Sequence, residues 1–396
     1  MRILWFSITP SLFNPYSNSY NGGGWIASLE QIVRKEQSVE LGVAFCFESD
    51  VLRHENDGVV YYTMNSQRNS LATYLDVIDD FKPDLIQIFG SENEFGEICA
   101  NTEIPVVIHM QGCLPPYHNA LFPIGMSKYD FIFTRGLSLR YRFMGLRSES
   151  SFKRRAEREI KTIQSCRYFM GRTDWDRSLV NLFNPNAKYF HCEEALRDSF
   201  LETKFNWEFK DRTKIKIISV ISNPWYKGVD LILKTANLLK RFTNLDFEWN
   251  VFGVRDIAFY EYKYKIKAKS VGVNIRGTAT KDVLVQELLD ADCYVHSSYI
   301  ENSPNSLCEA QVIGVPVLAT FVGGIPSLVK DGETGILFPA NDPYTLAGLI
   351  KKVTQDKDLA EKLSSNAREF ALNRHNTKLI GNNLLNIYKQ ILGNNA

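Results

Sequence analysis

The sequence predicts an α/β fold made of two Rossmann-like domains in tandem. Short apolar runs rich in Val, Ile and Phe alternate with longer stretches whose apolar residues lie three or four apart. This is the pattern of a mostly parallel sheet covered by helices on both faces. The alternation stops in the polar stretch 196–213 and then starts again, and a length of 396 residues is typical of two domains. We therefore expect one domain at 1–200, a second at 201–375, and a closing helical segment at 376–396.

The first domain should open with a strand at 3–8, followed by a helix on which Trp25, Leu29, Ile32 and Val33 share one face. Its other predicted strands are 39–47, 84–89, 104–109, 129–133 and 188–191. In the second domain we predict strands at 214–220, 246–252, 273–276, 292–297 and 315–319, and helices at 229–242, 259–271, 281–290, 304–313 and 343–373. Loops that lead from a strand into a helix are the candidate ligand sites, because open parallel sheets bind ligands beyond the carboxyl ends of their strands.

The composition is that of an ordinary globular protein. Hydrophobic residues make up 44% and charged residues 23% of the chain, and the net charge of +1 excludes a dedicated nucleic-acid polycation. The seven cysteines are scattered and form no C-x-x-C pair, so neither a disulfide framework nor a structural zinc site is expected. The first residues lack a signal-peptide pattern, and no apolar run reaches the ~18 residues of a membrane span. These features predict a cytoplasmic protein.

The loop and helix at 292–314 form the strongest candidate site. Ser303 should cap the helix and Pro304 should be its first residue, where a missing N–H costs nothing. The first backbone N–H groups would then point out of a helix amino terminus that carries partial positive charge, which suits a phosphate or diphosphate. These amides belong to Asn305, Ser306 and Leu307.

Two glutamates and one lysine stand near this helix start. Glu301 precedes the helix, and Glu309 lies in its second turn, where a carboxylate can accept two hydrogen bonds from the vicinal hydroxyls of a ribose. Lys227, followed by Gly228, ends another strand-to-helix loop and can reach phosphate as a point charge. On spacing alone, a capped helix with two solvated glutamates and a surface lysine explains the pattern about equally well.

The first domain carries weaker signals. Gly22, Gly23 and Gly24 would let the backbone approach a ligand closely, but the G-x-G-x-x-G fingerprint is absent, which argues against NAD-linked chemistry. His109 ends a predicted strand, although a lone histidine is more often structural. In the second domain, 290–292 matches a D-x-D metal motif but falls between a helix end and a buried strand, so we expect no metal ligand there.

Together these loops resemble the GT-B glycosyltransferases, and within them the retaining enzymes of family 4. The E-x₇-E pair Glu301–Glu309 stands in the strand–loop–helix context of that family. The resemblance is strongest from about 214 to 345, weaker but continuous from residue 1, and extends to bacterial enzymes of surface-polysaccharide assembly. The family's other elements follow in order as Lys227-Gly228, Gly277, the run 309–319, Gly323-Gly324-Ile325-Pro326, Asp331-Gly332 and Thr334-Gly335.

The resemblance implies two domains that face each other across a cleft, with the closing helix crossing back to an acceptor-binding N-terminal domain. It implies that a UDP- or GDP-linked sugar binds to the C-terminal domain, with Glu309 on the ribose, Lys227 on the diphosphate and Glu301 on the donor sugar. Ser222 stands where the family often has an arginine, which removes one expected phosphate contact. It also implies that Gly23, Gly24 and the backbone amides of residues 305–307 contact the phosphates. His109 would contact the transferred sugar.

The implied activity is a retaining, metal-independent glycosyl transfer without a cofactor, to a saccharide acceptor that is lipid-linked in polysaccharide assembly. With no evident metal ligand, Lys227 and the helix amino terminus must stabilise the leaving diphosphate. Front-face attack, in which the departing phosphate takes the acceptor's proton, fits retention, and a double displacement through Glu301 is the alternative. Two other functions stay open on this fold: a nucleotide-sugar epimerase or hydrolase, and a non-catalytic nucleotide-sugar-binding subunit.

The segment 135–163 is both basic and apolar. Four apolar residues lie on one stripe of a helix that Ser151 is predicted to cap, and basic residues cover the rest of its surface. An ordinary core-facing helix explains this stripe. The alternative is a peripheral contact with an anionic membrane, where each basic residue can add ~1 kcal/mol of binding free energy. The stripe consists of Phe152, Ala156, Ile160 and Ile163, and the basic residues include Arg154, Arg155 and Arg158.

Overall fold

The computed structural model describes residues 1–13, 24–47, 52–65, 70–133, 139–222 and 225–393, with the backbone alone over 131–133 and 139–146. Two compact units make up the chain. Unit 1 contains Met1–Pro115, Arg154–Arg197 and His375–Ala396, and unit 2 contains Pro116–Lys153 and Asp198–Arg374. The chain therefore passes between the units near the predicted boundaries at 200 and 375, while 116–153 groups with unit 2.

The strands of the described residues are β1 (Arg2–Ser7), β2 (Glu40–Phe47), β3 (Leu52–Asn56), β4 (Val59–Asn65), β5 (Leu85–Phe89), β6 (Val106–His109), β7 (Tyr168–Gly171), β8 (Lys188–His191), β9 (Lys214–Val220), β10 (Asp246–Phe252), β11 (Val273–Gly277), β12 (Cys293–His296), β13 (Val317–Thr320) and β14 (Ile336–Phe338). The α-helices are α1 (Gly24–Val33), α2 (Leu71–Phe81), α3 (Leu114–Asn119), α4 (Lys128–Phe133), α5 (Leu139–Ser165), α6 (Asp174–Phe183), α7 (Asp198–Leu201), α8 (Val229–Phe242), α9 (Ala258–Tyr264), α10 (Lys281–Asp290), α11 (Asn305–Ile313), α12 (Pro343–Gln355), α13 (Lys357–Arg374) and α14 (Thr377–Ile391).

Unit 1 is built on an eight-stranded sheet in the order β3-β4-β2-β1-β5-β6-β7-β8. Its neighbouring strands are parallel except for the antiparallel pair β3–β4. The central strand β1 is apolar on both faces, as a covered parallel strand must be, and its Trp5 pairs with Val43 on one side and Gln87 on the other. The strand order reverses between β1 and β5, which places a ligand crevice at the carboxyl ends of these two strands.

The last helix, α14, belongs to unit 1 and completes its core. Its apolar residues share a buried cluster with Ile3 and Trp5, and Trp5 Nε1 donates a hydrogen bond of 3.1 Å to Tyr388 OH. Gly381 lies so close to α1 that a Cβ at this position would come within 2.6 Å of the Ile32 side chain. The expectation that the closing helix returns to the N-terminal domain is therefore confirmed.

Unit 2 contains a six-stranded, all-parallel sheet in the order β11-β10-β9-β12-β13-β14. Here the order reverses between β9 and β12, so the loops that follow these two strands flank the expected crevice. Both units thus have covered parallel sheets, and the predicted α/β class with two Rossmann-like domains is confirmed. No described helix has the length and apolarity needed to cross a bilayer.

Four local predictions are wrong. The predicted helix 259–271 ends at Tyr264 with α9, and a separate 3₁₀ turn covers Ala268–Val271. The predicted helical stretch 343–373 is divided at Asp356 into α12 and α13. The segment 129–133 is not a strand but part of α4, because Ser127 Oγ accepts from Asp130 N at 3.4 Å and Asp130 Oδ2 accepts from Ser127 N at 2.8 Å, which forms a capping box. Ser151 does not cap a helix, since α5 begins at Leu139 and continues through that position.

Candidate functional site

The loop that carries Lys227 is fixed against the loop that follows β12. After β9, a short 3₁₀ helix at Trp225–Lys227 leads into Gly228, whose φ of +77° lies in the left-handed region. A Cβ at Gly228 would overlap the carbonyl oxygen of Ser297, so only glycine fits there. Ser297 Oγ donates to the Lys227 carbonyl at 2.9 Å. These contacts hold the lysine at the point where the strand order reverses.

Lys227 Nζ forms an ion pair with Glu301 Oε2. Glu301 is almost fully buried, and it also accepts hydrogen bonds from Ser298 Oγ at 3.5 Å and from Tyr117 OH at 3.4 Å. His296 Nε2 lies 3.8 Å from the same Oε2 atom. Burial by itself would raise the pKa of Glu301, but the Lys227 charge and the His296 contact lower it to about 2. Glu301 is therefore an ionised carboxylate at any physiological pH.

The helix α11 starts beside this pair. Pro304, in an extended conformation, is the N-cap and Asn305 the first helical residue, one position later than predicted. Leu307 N donates to the Pro304 carbonyl at 3.0 Å, which leaves the amides of Asn305 and Ser306 as the leading N–H groups of the first turn. The leading amides at this helix start are therefore two, whereas the sequence indicated three for the predicted anion site.

The side chain of Ser306 forms two hydrogen bonds that fix the start of α11. It accepts a hydrogen bond from Tyr294 OH at 2.9 Å and donates to the Val220 carbonyl at 3.2 Å, which ties the helix start to the end of β9. Burial raises the pKa of Tyr294, and the charges of Glu309 and Glu301 add to that effect, so both carboxylates lie near this phenol. Glu309 itself is buried. The predicted pair of glutamates is therefore brought to one helix start.

Gly323 and Gly324 hold the backbone of the Glu301 loop. A Cβ at Gly323, where φ is +52°, would overlap the Glu301 carbonyl oxygen, and Gly324 N donates to the same oxygen at 2.9 Å. In the sequence, the only signal for this glycine pair is the family resemblance, which gives it no physical role. Its physical role is a close backbone approach that orients Glu301.

His109 lies in unit 1, at the carboxyl end of β6, and is fully buried. Its Nδ1 lies 3.5 Å from Gln87 Nε2, and the Trp25 ring packs against it edge-on at 4.9 Å. Its Nε2 has no hydrogen-bond partner among the described residues. Burial, together with the nearby Arg172 charge, lowers the pKa of His109 to about 3. The imidazole is therefore neutral and can exchange hydrogen bonds with a ligand, but it does not carry charge.

The predicted glycine contacts are only partly described. Gly23 lies outside the described residues. Gly24 begins α1 with a φ of +58°, and a Cβ there would meet no atom of a described residue within 4 Å. The positive φ is what favours glycine at this position, in unit 1.

The two carboxylates of the D-x-D motif form ion pairs with basic side chains of unit 2. Asp290 pairs with Lys216 at 2.5 Å and with Arg212 at 3.3 Å, and Asp292 accepts from Lys216 N at 2.7 Å. Asp292 also lies 3.3 Å from Arg212. These contacts sit at the amino ends of β9 and β12, the sheet edge opposite to Lys227 and Glu301. Both carboxylates therefore lie away from the crevice that Lys227 and Glu301 line, and the absence of a metal role stays a prediction.

Comparison with known proteins identifies a family model and several relatives that each match part of the chain. Residues 202–370 match the family model of the glycosyl transferases group 1. A D-inositol 3-phosphate glycosyltransferase of Streptomyces bingchenggensis is 35% identical over 99 residues, which are 25% of this chain and 22% of that protein. A putative colanic acid biosynthesis glycosyltransferase, WcaL, of Salmonella typhimurium is 33% identical over 109 residues, 26% of this chain and 27% of that protein. These matches thus span about a quarter of each relative's length.

Solved structures match the whole chain in fold. A sucrose-phosphate synthase from Thermosynechococcus elongatus has a TM-score of 0.70 at 14% identity over 100% of both chains. Anabaena HepE in complex with UDP-glucose has a TM-score of 0.66 at 15% identity, over 98% of this chain and 100% of that one. At such identities the likeness concerns the fold alone. The chain therefore has the GT-B fold of these glycosyltransferases, and its residues 202–370 are homologous to the glycosyl transferases group 1.

Proposed function

We propose that this protein is a retaining glycosyltransferase of family 4 that moves a hexosyl group from a UDP- or GDP-sugar to a saccharide acceptor. The observation that carries the proposal is the buried Lys227–Glu301 pair beside the start of α11, at the point where the strand order of unit 2 reverses. A cation, a helix amino terminus and an ionised acceptor of hydroxyl hydrogen bonds are the three groups that a sugar diphosphate requires.

Each group has a separate role in binding the donor. Lys227 Nζ and the amides of Asn305 and Ser306 would bind the diphosphate, and the dipole of α11 adds positive potential. Glu309 would accept hydrogen bonds from the ribose hydroxyls, and Glu301 from the hydroxyls of the sugar. His109 and the glycines 23 and 24 stay predicted contacts of unit 1, and the neutral His109 suits a sugar hydroxyl better than a phosphate.

The chemical step then needs no protein nucleophile. The bond between the anomeric carbon and the phosphate oxygen breaks, the acceptor oxygen bonds to the same face of that carbon, and the acceptor's proton passes to the departing phosphate. Negative charge grows on the diphosphate as the bond breaks, so Lys227 and the first-turn amides stabilise the transition state more than the bound donor.

The surroundings of Glu301 favour this front-face route over a double displacement. Its Oε2 is engaged by Lys227 and Ser298, and its Oε1 by Tyr117. A carboxylate whose pKa is lowered to about 2 is also a weak nucleophile and a weak base. We assign Glu301 to holding the donor sugar and its developing positive charge.

The proposed acceptor is lipid-linked, as in surface-polysaccharide assembly, and the relative named for colanic acid biosynthesis supports that setting. The proposed location is the cytoplasm, with peripheral contact at the inner face of the membrane through 135–163. Lys153, Arg154 and Arg155 are exposed there, whereas Arg158 donates to Glu94 at 2.7 Å. Ala156 and Ile163, which belong to the apolar stripe, are buried in unit 1 and serve its core.

A two-stage measurement tests the function. The protein is first screened for thermal stabilisation by UDP, GDP and their sugars, since a ligand at ~100 times its Kd adds ~2.7 kcal/mol to the free energy of unfolding. Donor consumption is then followed with and without a saccharide acceptor. A transferase consumes donor in proportion to acceptor. Acceptor-independent turnover would show an epimerase or hydrolase instead, and binding without any turnover would show a nucleotide-sugar-binding subunit.

A further inference from the structure

A buried histidine stands behind the Lys227–Glu301 pair. His296 is the last residue of β12, and only 2% of its side chain is exposed. Its Nε2 lies 3.8 Å from Glu301 Oε2, the oxygen that pairs with Lys227, and this distance is too long for a hydrogen bond. The same nitrogen has no hydrogen-bond partner among the described residues. A buried polar atom in that position calls for an explanation.

The hydrogen bonds around His296 fix which of its nitrogens carries the proton. Ser306 Oγ donates its proton to the Val220 carbonyl at 3.2 Å, since a carbonyl can only accept. Ser306 Oγ therefore accepts from Tyr294 OH at 2.9 Å, and this bond uses the single phenolic proton. Tyr294 OH lies 3.3 Å from His296 Nδ1, so in this contact the phenol oxygen accepts and Nδ1 donates. Neutral His296 is thus the Nδ1–H tautomer, and its Nε2 presents a lone pair to Glu301.

Lys227 and His296 compete to compensate the charge of one carboxylate oxygen. Burial lowers the pKa of His296, Glu301 raises it, and the charge of Lys227 lowers it further. While the lysine is paired with Glu301, a second positive charge beside it is repelled. Withdrawal of the lysine charge ends this repulsion and also leaves a buried carboxylate in need of a cation. A proton on Nε2 supplies that cation.

The surroundings of His296 leave this competition undisturbed. Glu301 and Lys227 are the charged groups that act on the imidazole, Tyr294 lies on the same strand, and α11 brings Glu309 close to that phenol. The neighbouring strands β9 and β13 pair with β12 through residues without titratable side chains. The buried residues of α12, which packs on β12, are uncharged. The charge of His296 therefore depends on the Lys227–Glu301 pair.

We propose that His296 is a positioning residue that takes up a proton on donor binding, when the Lys227 ammonium turns from Glu301 to the diphosphate. The proton comes from solvent, binds Nε2 and converts the contact with Glu301 into an ion pair. Glu301 then keeps its place against the donor sugar while the lysine serves the leaving group. The exchange belongs to donor binding and precedes the chemical step, and the proton returns to solvent when Lys227 pairs with Glu301 again. The diphosphate enters this scheme through the proposed function.

The first test needs no donor. NMR of protein with isotopically labelled histidine nitrogens reports the tautomer and charge of each of the six imidazoles, and the His296 signals are assigned from their loss in His296→Gln. We expect the neutral Nδ1–H form in the wild type near neutral pH and the imidazolium in Lys227→Met, where no lysine charge competes for Glu301. His54→Gln, a change on β3 of unit 1, is the control and should leave the His296 signals unchanged. A neutral His296 in folded Lys227→Met would overturn the inference.

Calorimetry tests the coupling to the donor. UDP-glucose and GDP-mannose are titrated into the protein in buffers of different ionisation enthalpy, because proton uptake changes the observed heat in proportion to that enthalpy. The diphosphate of a nucleotide sugar is fully ionised near neutral pH, so a proton taken up belongs to the protein. We expect uptake in the wild type and in His54→Gln, and none in His296→Gln. Because the complex holds the proton more tightly than the free protein, affinity should fall as pH rises, by up to about tenfold in Kd per pH unit.

Two variants of His296 separate its titration from its packing. The amide of His296→Gln donates toward Glu301 but cannot become charged, so this variant should bind the donor without the pH dependence, whereas His296→Ala should bind weakly at every pH. Proton uptake by His296→Gln, or wild-type binding with equal heats in all buffers, would overturn the inference and leave the proposed function intact. Failure of both nucleotide sugars to bind would reject the proposed function, and the histidine signals of Lys227→Met then decide the exchange of cations. If Lys227→Met does not fold, the calorimetry decides it.

Discussion

Lys227 and Glu301 form a buried ion pair that joins the loop after β9 to the loop after β12, with 15% and 10% of their side chains exposed. They stand 74 residues apart in the chain. Their mutual contact and the hydrogen bond from Ser297 to the Lys227 carbonyl hold the cation and the carboxylate in place through the protein's own groups. Charges that are already in position need no rearrangement during the reaction. This preorganisation is the main source of electrostatic catalysis in enzymes.

Lys227→Ala should lower kcat by about 10²–10³, because leaving-group charge grows in the transition state. It should also reduce stability, since the variant leaves Glu301 buried without its cation, at a cost of up to about 3–5 kcal/mol. Lys234→Ala is the matched control, because Lys234 pairs with the fully buried Asp230 at 2.8 Å. Both variants should shift the urea midpoint, but only Lys227→Ala should lose turnover. Wild-type turnover of Lys227→Ala at subsaturating donor would remove Lys227 from the site.

Glu309→Ala should weaken nucleotide-sugar binding by about 1–3 kcal/mol through lost hydrogen bonds to the ribose. Its effect on kcat should be smaller than that of Lys227→Ala, because the ribose does not change charge during the reaction. Isothermal titration with the donor that the thermal screen selects measures the change in Kd. An unchanged Kd in a folded Glu309→Ala protein would contradict the ribose assignment.

Glu159→Gln should change how stability depends on pH. Glu159 is fully buried in unit 1, accepts from Ser91 Oγ and, at 2.6 Å, from Leu114 N, and burial raises its pKa to about 8. The folded protein then keeps a proton that the unfolded chain releases near pH 4.3, so wild-type stability should fall from about pH 4.3 to about pH 8, by ~1.4 kcal/mol per unit of pKa shift. The glutamine variant should lack this decline.

Urea midpoints at several pH values check this slope. Glu157→Gln, the same change at an exposed position of α5, is the control and should follow the wild type. Parallel curves for wild type and Glu159→Gln would mean that Glu159 is ionised in the folded protein.

Transferase activity should survive in excess EDTA after bound metal has been stripped. The reason is that Lys227 and the amides of α11 supply the positive potential, while Asp290 and Asp292 are paired with Arg212 and Lys216. Initial rates with and without added Mg²⁺ or Mn²⁺ decide the matter. Near-complete loss in EDTA, restored by either metal, would show that the phosphate site requires a cation.

Binding to vesicles should rise with the fraction of anionic lipid and fall with salt, because exposed basic residues of α5 would meet the surface. Co-sedimentation measures the bound fraction. Arg154→Gln combined with Arg155→Gln should reduce it, whereas Arg158→Gln should matter less because Glu94 already holds that arginine. Wild-type protein that stays in the supernatant with anionic vesicles at low salt would reject the membrane contact.

The sequence was most informative where the chemistry is local. The loops around Lys227 and Glu301 and the start of α11 each follow from a strand, a short loop and a helix signal within about a dozen residues. What could not be predicted is pairing over distance: Tyr117 reaches Glu301 from 184 residues away, and no pattern in the sequence marks that contact. The cap of α11 moved by one residue because Pro304 takes an extended conformation.

Two missed elements did have readable signals. The hairpin β3–β4 turns at Asp57-Gly58, with φ of +48° and +77°, and Asp-Gly is a preferred pair for such two-residue turns. In α4, the apolar run suggested a strand. Ser127 and Asp130 have the spacing of a capping box, and the segment forms a helix with this cap. In both cases local polar residues decided what hydrophobicity alone left ambiguous.

Because Tyr388 and its neighbours on α14 complete the core around Trp5, unit 1 cannot finish folding on the ribosome until unit 2 has been translated. At ~5–20 residues per second, the intervening segment takes roughly 10–40 s to synthesise. During that interval the face of the sheet that α14 will cover stays open, while unit 2 already has every strand of its own sheet. The unit encoded first therefore matures last, and a nascent chain of this protein presents an apolar surface to chaperones for nearly half of its synthesis.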